Sequence, residues 1–453
     1  MPPGGIREVR LTMIQLSDHF DYKRLLRYTF PSVIMLIFTS VYGVVDGFFV
    51  SNFVGKTPFA AVNFIMPLLM ILGCVGFMFG TGGSALIAKT LGEGKCEKAN
   101  ELFTMTVCVS ALCGLALAVS GFALLRPIAM LMGAERQLLE DSILYGRIIL
   151  PALPFFILQY EFQCLFATAG KPKLGLGITV AAGVTNMVLD ALFVAAFSWG
   201  LAGAAAATAF SQLVGGVIPL LYFAHKNGSL LRFTRYKFDG GALRKTCTNG
   251  ASELMSNISM SVVSMLYNLQ LMKYAGADGI AAYGVLMYVS MIFQAVFIGY
   301  SVGAAPVIGY HYGAQNHEEL KSLLRKSLIL IGIFSVSMFA AGEALGRPLS
   351  LLFVGYDAGL LDMTVHAFVI FSFSFLLSGL TILGSSFFTA LSDGLTSAMI
   401  AFLRTLVFQI AAVCILPIFW ELDGIWFSII VAEVLAALVT VLFLWGKRKK
   451  YRY

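Results

Sequence analysis

Twelve apolar stretches decide what this chain can fold into. They run over roughly 28–54, 60–88, 102–125, 143–168, 174–198, 201–224, 250–274, 280–310, 327–346, 362–390, 395–420 and 424–446. An α-helix rises about 1.5 Å per residue, so about 20 residues cross a hydrocarbon core. No strand-like alternation of polar and apolar residues accompanies them. In lipid, backbone groups must be paired within the protein, which leaves helices as the reading. Charged residues make up 12% of the chain, about half the share of an average soluble domain. The expected fold is therefore an all-α integral membrane protein with 12 transmembrane helices, and soluble multidomain classes are excluded.

The first 27 residues are too polar for a cleaved signal peptide, so the first helix is expected to be retained. The seven Cys residues contain no CxxC pair and lie mostly in apolar helices, which reads as packing rather than a metal or redox site. Among the five His residues no metal-ligand spacing occurs. No catalytic cluster, cofactor motif or GxxxxGK[ST] loop is present, so neither an enzyme nor an ATP-driven pump is expected.

A net charge of +7 could point to nucleic acid, but its placement does not. Numbering the termini and loops alternately, one side collects Arg7, Arg10, Lys23, Arg24, Arg27, Lys89, Lys95, Lys98, Lys171 and Lys173. The loop 225–249 adds six more, the stretch 321–326 three, and 447–453 five. The other side holds Lys56, Arg126, Arg136, Arg147, Lys273 and Arg347. This asymmetry predicts a multi-pass protein of a cell membrane with both termini in the cytoplasm. Its partners are then the lipid bilayer and small molecules, with no nucleic acid.

An internal repeat organises the chain. At a shift of 221 residues, Gly55 falls on Gly276, Ala60 on Ala281, Met66 on Met287, Gly82 on Gly303, Gly92 on Gly313 and Glu97 on Glu318. The same register places Gly203 on Gly424 and Gln212 on Glu433. Six helices return a chain to its starting side, so the two halves are parallel repeats. The expected units are an N-terminal segment 1–27, a first lobe 28–224, a linker 225–249, a second lobe 250–446 and a basic tail 447–453. Two like bundles flanking a cleft can rock between inward-open and outward-open states, which points to a secondary transporter. A two-lobed monomer would be self-sufficient.

The stretch "SVYGVVDGFFVSNFVG" carries Asp46 among apolar residues, and "TNMVLDALF" places Asn186 and Asp190 one helical turn apart. A carboxylate at the bilayer centre costs roughly 2.5–3.5 kcal/mol on insertion scales, so both acids should face a cavity. Desolvation and mutual repulsion disfavour two charges together. Such a pair can take up a proton near neutral pH, titrating as one unit, or hold a sodium ion. Tyr145 and Thr208 are candidates for the same ion-coupling site. Tyr42, Gln163, Gln212, Asn257, Met287 and Gln294 are candidates for the substrate cavity, where soft Met and aromatic groups suit flat apolar cations. Many of these polar groups also suit a plain role as helix–helix hydrogen-bond partners. The second half has no acid matching Asp46; the register puts Tyr267 there. Pro31, Gly43 and Gly47 make the first helix a candidate for bending. "GYHYGAQNHEEL" reads as a helix stop followed by a solvated turn.

The chain resembles the multidrug and toxic compound extrusion (MATE) transporters from about Tyr22 to Trp445. The resemblance rests on "VYGVVDGFFVSNFVG", "GTGGSALIAKTLGEGKCEKA", "FQCLFATAGKPK", "NMVLDALF", "GLAGAAAATAFSQ" and "APVIGYHYGAQN", in that order. It is nearer the DinF- and MepA-like bacterial branch than the NorM type. The resemblance implies two six-helix lobes and proton- or sodium-coupled export of cationic amphipaths. It matches Asp46 to the family's first-helix Asp, Asn186 and Asp190 to its fifth-helix pair, and Tyr145 and Thr208 to its fourth-helix Tyr and sixth-helix Thr. The body of the tenth helix lacks the acids of the NorM type, and Glu253 lies near the start of the seventh. Coupling is therefore expected in the first lobe, by proton before sodium. The alternatives are a flippase for lipid-linked saccharides, an exporter of an endogenous metabolite on the same fold, and a receptor that moves nothing.

Overall fold

A computed structural model describes residues 15–453 apart from 55, 135 and 356. Arg7, Arg10 and Gly55, and the surroundings of Gly47 and Lys56, lie outside what it describes. Among the described residues the chain is helix and turn, without a strand.

The first half begins with α1 (Tyr22–Phe49), which ends in a π-helical turn, Val50–Val54. α2 follows in two pieces, Lys56–Gly73 and Val75–Gly92, then α3 (Cys96–Leu131). α4 also has two pieces, Arg136–Ile149 and Leu153–Thr168. α5 (Pro172–Asp190) runs into a second π-helical turn, Ala191–Ala196, and α6 (Gly200–Ala224) closes the half.

In the second half, one continuous run, Gly240–Gly313, breaks at Gly276 into α7 (240–275) and α8 (277–313). Gly276 has φ +64° and ψ −148°, a conformation that side-chain-bearing residues avoid. α9 is His317–Val354. α10 bends by 48° between Ala358–Ser372 and Phe375–Ala390. α11 comprises Gly394–Phe402, a π-helical turn Leu403–Val407 and Phe408–Ile415, and α12 is Pro417–Tyr451.

Ten of these elements are long and apolar enough to cross a membrane, or eleven with bent α10 taken as one span. The seventh expected span is helical and long enough, but too polar to qualify. Glu253, Asn257, Asn268, Gln270 and a series of Ser residues interrupt its apolar run. A helix of that composition needs protein or water along part of its length.

Helix resumes at Gly240, well before the expected end of the linker, because the Asp239 side chain accepts from the Ala242 N–H and caps α7. That bond, with Lys98 nearby, holds the Asp239 carboxyl below its usual value. The remaining linker is pinned to the first half. Asn100 Oδ1 accepts from Arg232 N–H at 2.8 Å, and Thr104 Oγ1 accepts from Thr234 N–H at 3.0 Å.

The halves meet at the basic end. α2 packs against α7 and α8, and α1 packs against α8. Glycines permit backbone-to-backbone approach there. A Cβ on Gly82 would strike the Thr246 carbonyl, one on Gly250 the Met78 carbonyl, one on Gly92 the Tyr310 carbonyl, and one on Gly313 the Lys89 carbonyl. The N-terminal stretch completes the closure. Phe20 is fully buried, its N–H donates to Glu319 Oε1 at 2.9 Å, and Lys326 donates to its carbonyl. His19 Nδ1 lies 2.6 Å from Glu319 Oε2. The turn expected to be solvated after α8 is therefore part of the junction. His311 and Glu319 are buried because the first half's N-terminal stretch covers them.

Candidate functional site

Close packing of α1 on α5 builds the site. Gly183 sits against the rings of Phe38 and Tyr42. One turn further along, the two helices present Asp46 opposite Asn186 and Asp190. Asp46 stands within electrostatic reach of Asp190 and Asn186, and Thr208 Oγ1 makes a long contact of 3.5 Å with Asp46 Oδ1. The Tyr145 hydroxyl lies beside Thr208 and both acids. Tyr42 faces Asp46 and Gln159. The five expected ion-coupling residues, from α1, α4, α5 and α6, are thus in one cluster.

The cluster is buried but not self-satisfied. Asp190 and Tyr145 are fully buried and Asn186 is 1% exposed. Both Asp190 carboxyl oxygens, both Asn186 amide atoms and the Tyr145 hydroxyl lack a hydrogen-bond partner. Neither carboxyl has an ion-pair partner among the described residues. Buried polar atoms in folded proteins are nearly all paired, and exceptions mark unplaced water, an ion or a proton. The π-helical turns fit this picture, since such turns concentrate at functional sites. One follows Asp190 directly and another begins four residues after Asp46.

The cavity candidates divide. Gln163 has neither amide atom paired and lines a small pocket with Gln159, Thr179 and Gly215, and the Gln212 carbonyl is also unpaired. In the second half, Asn257 donates to the Glu253 carbonyl at 2.8 Å and Gln294 donates to Ser290 at 2.9 Å. Met287 is half-buried against the core. These three are engaged locally. A pocket of about 410 Å³ lies elsewhere, along α7 and the start of α8, lined by Ser264, Met265, Asn268, Leu269 and Met272. The polar spacing of α7 carried that signal.

A second buried cluster joins an acid and a cation whose pairing the sequence did not show. Arg404, in the π-helical turn of α11, donates through Nε to Glu433 Oε1 at 2.8 Å, and its Nη2 lies 2.8 Å from the same oxygen in an ion pair. The other Glu433 oxygen accepts from Thr381 at 3.1 Å. Their side chains are 14% and 2% exposed. Tyr267 stands beside Glu433 and Ser428, and Glu253 faces Arg404. One further buried acid, Glu161, is met by Ser110, and the exposed Glu343 accepts from the buried Ser372.

The MatE family model matches residues 31–192 and again 254–415, once in each half. The chain is 24% identical over 432 residues to the multidrug export protein MepA of Staphylococcus haemolyticus, covering 95% of this chain and 94% of that one. It is 23% identical, with the same coverage, to the MepA protein of Staphylococcus aureus strain MRSA252. Among solved structures, a MATE protein in complex with MaL6 superposes with a TM-score of 0.90 at 22% identity, over 96% of this chain and 97% of that one. An outward-facing multidrug resistance MATE transporter of the MOP superfamily gives 0.90 at 22% identity, over 97% and 98%. With the family model matched over both halves and the two-lobed helical fold shared, the chain belongs to the MATE (MatE) family of membrane proteins.

Proposed function

We propose that the protein is a secondary antiporter exporting organic cations or amphipathic drugs, driven by inward proton movement through alternating access of its two lobes. The observation that carries this reading is the pairing of Asp46 with Asp190, deep among apolar helices and without a cationic partner among the described residues. Two such carboxyls in a poorly hydrated site favour holding one cation between them, and a proton or a cargo cation can serve in turn. Competition for the same charges couples the two movements. The relatives named multidrug export proteins support the cargo class. Sodium could replace the proton by the same chemistry.

The basic end belongs in this reading to the cytoplasm, with both termini there. The lobes meet at that end, so the conformation is the one open to the other side. The N-terminal segment, two lobes, linker and tail are proposed as the working units, in a single copy of the chain. A flippase for lipid-linked saccharides would need cations free in the cleft, and Arg404 is tied to Glu433.

Proteoliposomes carrying a fluorescent organic cation, an imposed pH gradient and no sodium test the proposal. Uphill movement is expected in wild type and lost in Asp46→Asn and in Asp190→Asn. Movement that persists in both variants overturns the site; movement that needs a sodium gradient changes the ion.

A further inference from the structure

The second half holds a buried acid that the transport reading does not use. Glu433 lies on α12 where the repeat register puts Gln212 on α6, and Tyr267 lies on α7 where it puts Asp46 on α1. The Tyr267 hydroxyl is buried, beside Ser428 and within electrostatic range of Glu433. Glu433 brings its own carboxylate oxygens and accepts from the Thr381 hydroxyl at 3.1 Å, with the Tyr267 hydroxyl within electrostatic range. Such an all-oxygen shell around one negative charge suits a hard monovalent cation. In this chain that charge is met by two N–H groups of Arg404.

We propose that Arg404 is the resident cation of a second cation site, its guanidinium occupying the position on Glu433 that an exchangeable sodium ion or proton would otherwise fill. The placement of Arg404 in a π-helical turn supports this. Such a turn inserts one residue into the helical repeat and re-aims the side chains around it. A tethered cation cannot leave, so the second half stays electrically neutral through the cycle. Cargo and coupling ion then compete only in the first half. The argument does not depend on proton coupling there, and its test does not measure transport, so the two readings fail separately.

The test is thermal unfolding of the purified full chain in detergent, as NaCl replaces choline chloride at constant ionic strength, and separately as pH is lowered. Arg404→Gln vacates the position and leaves Glu433. Its melting temperature is expected to rise with the logarithm of sodium concentration, or with falling pH if the proton is preferred, as for any ligand that binds only the folded state. Wild type and Arg404→Lys, whose ammonium refills the position, keep the first-half site and set the baseline, so the response of Arg404→Gln is the rise beyond theirs. Glu253 faces Arg404 from α7 and lies near Cys164, itself close to Glu161. The double variant Arg404→Gln/Glu433→Gln keeps these groups and should fall back to the wild-type response. The proposal is overturned if Arg404→Gln folds and responds to both cations no more than wild type does. It is equally overturned if that variant fails to fold at every sodium concentration and pH, or if the double variant keeps the response.

Discussion

The two halves of this chain share a scaffold and treat buried acid in opposite ways. In the first half, Asp46 and Asp190 face each other across α1 and α5, and the atoms around them are left without partners. In the second, Glu433 is fully engaged by Arg404 and Thr381. An unsatisfied site costs stability and keeps its options open. A satisfied one is fixed. The difference teaches that a duplicated bundle can reserve exchange for one copy and rigidity for the other.

The comparison can be broken most forcefully by neutralising one acid in each half. Glu433→Gln strands a buried guanidinium, which by analogy with other broken buried pairs costs about 3–5 kcal/mol. Asp190→Asn removes a charge with no hydrogen-bonded partner, so it should leave stability nearly unchanged while abolishing proton-driven transport. Denaturation of the two variants side by side measures this. Equal destabilisation would erase the distinction.

A smaller effect sharpens it by acting on the junction alone. Glu319→Ala removes the acceptor for His19 and for the Phe20 N–H, far from both clusters. A lost buried hydrogen-bond acceptor costs about 1–3 kcal/mol. Hydrogen exchange over residues 15–21 should rise, with cation binding at the first-half site unaltered.

The smallest effect concerns an acid outside the membrane spans. Burial of Asp393 would raise its pKa, but Lys447, the Tyr451 hydroxyl and Thr396 outweigh burial and hold it below the usual carboxylate value. A depressed folded-state pKa contributes stability above the unfolded value, about pH 4, and loses it as pH falls through the folded value. Acidification below about pH 4 should therefore loosen residues 447–453, seen as faster exchange there, and Asp393→Asn should remove that pH dependence.

Much of this was legible in the sequence. Hydropathy located the spans because lipid admits so few alternatives. Asp46 and Asp190 stood out because charge in such segments is rare, and Asn186 because it lies one helical turn from Asp190. Three features were not legible. The pairing of Arg404 with Glu433 joins residues 29 apart on different helices, and periodicity carries no information about partners. The burial of His311 and Glu319 depends on a stretch almost 300 residues earlier folding across them. The engagement of Asn257 and Gln294 is local, since each amide reaches one turn back along its own helix.

The glycines of the junction carry a further consequence. Gly92 meets the carbonyl of Tyr310, and Gly313, its counterpart in the repeat, meets that of Lys89. Each half offers the same patch to the other, which is the isologous contact of a twofold homodimer. The chain is in that sense a dimer with its subunits tethered. Gly92 and Gly313 are one position used twice, and a bulky residue at either would pry apart a surface whose other face must fit it in return.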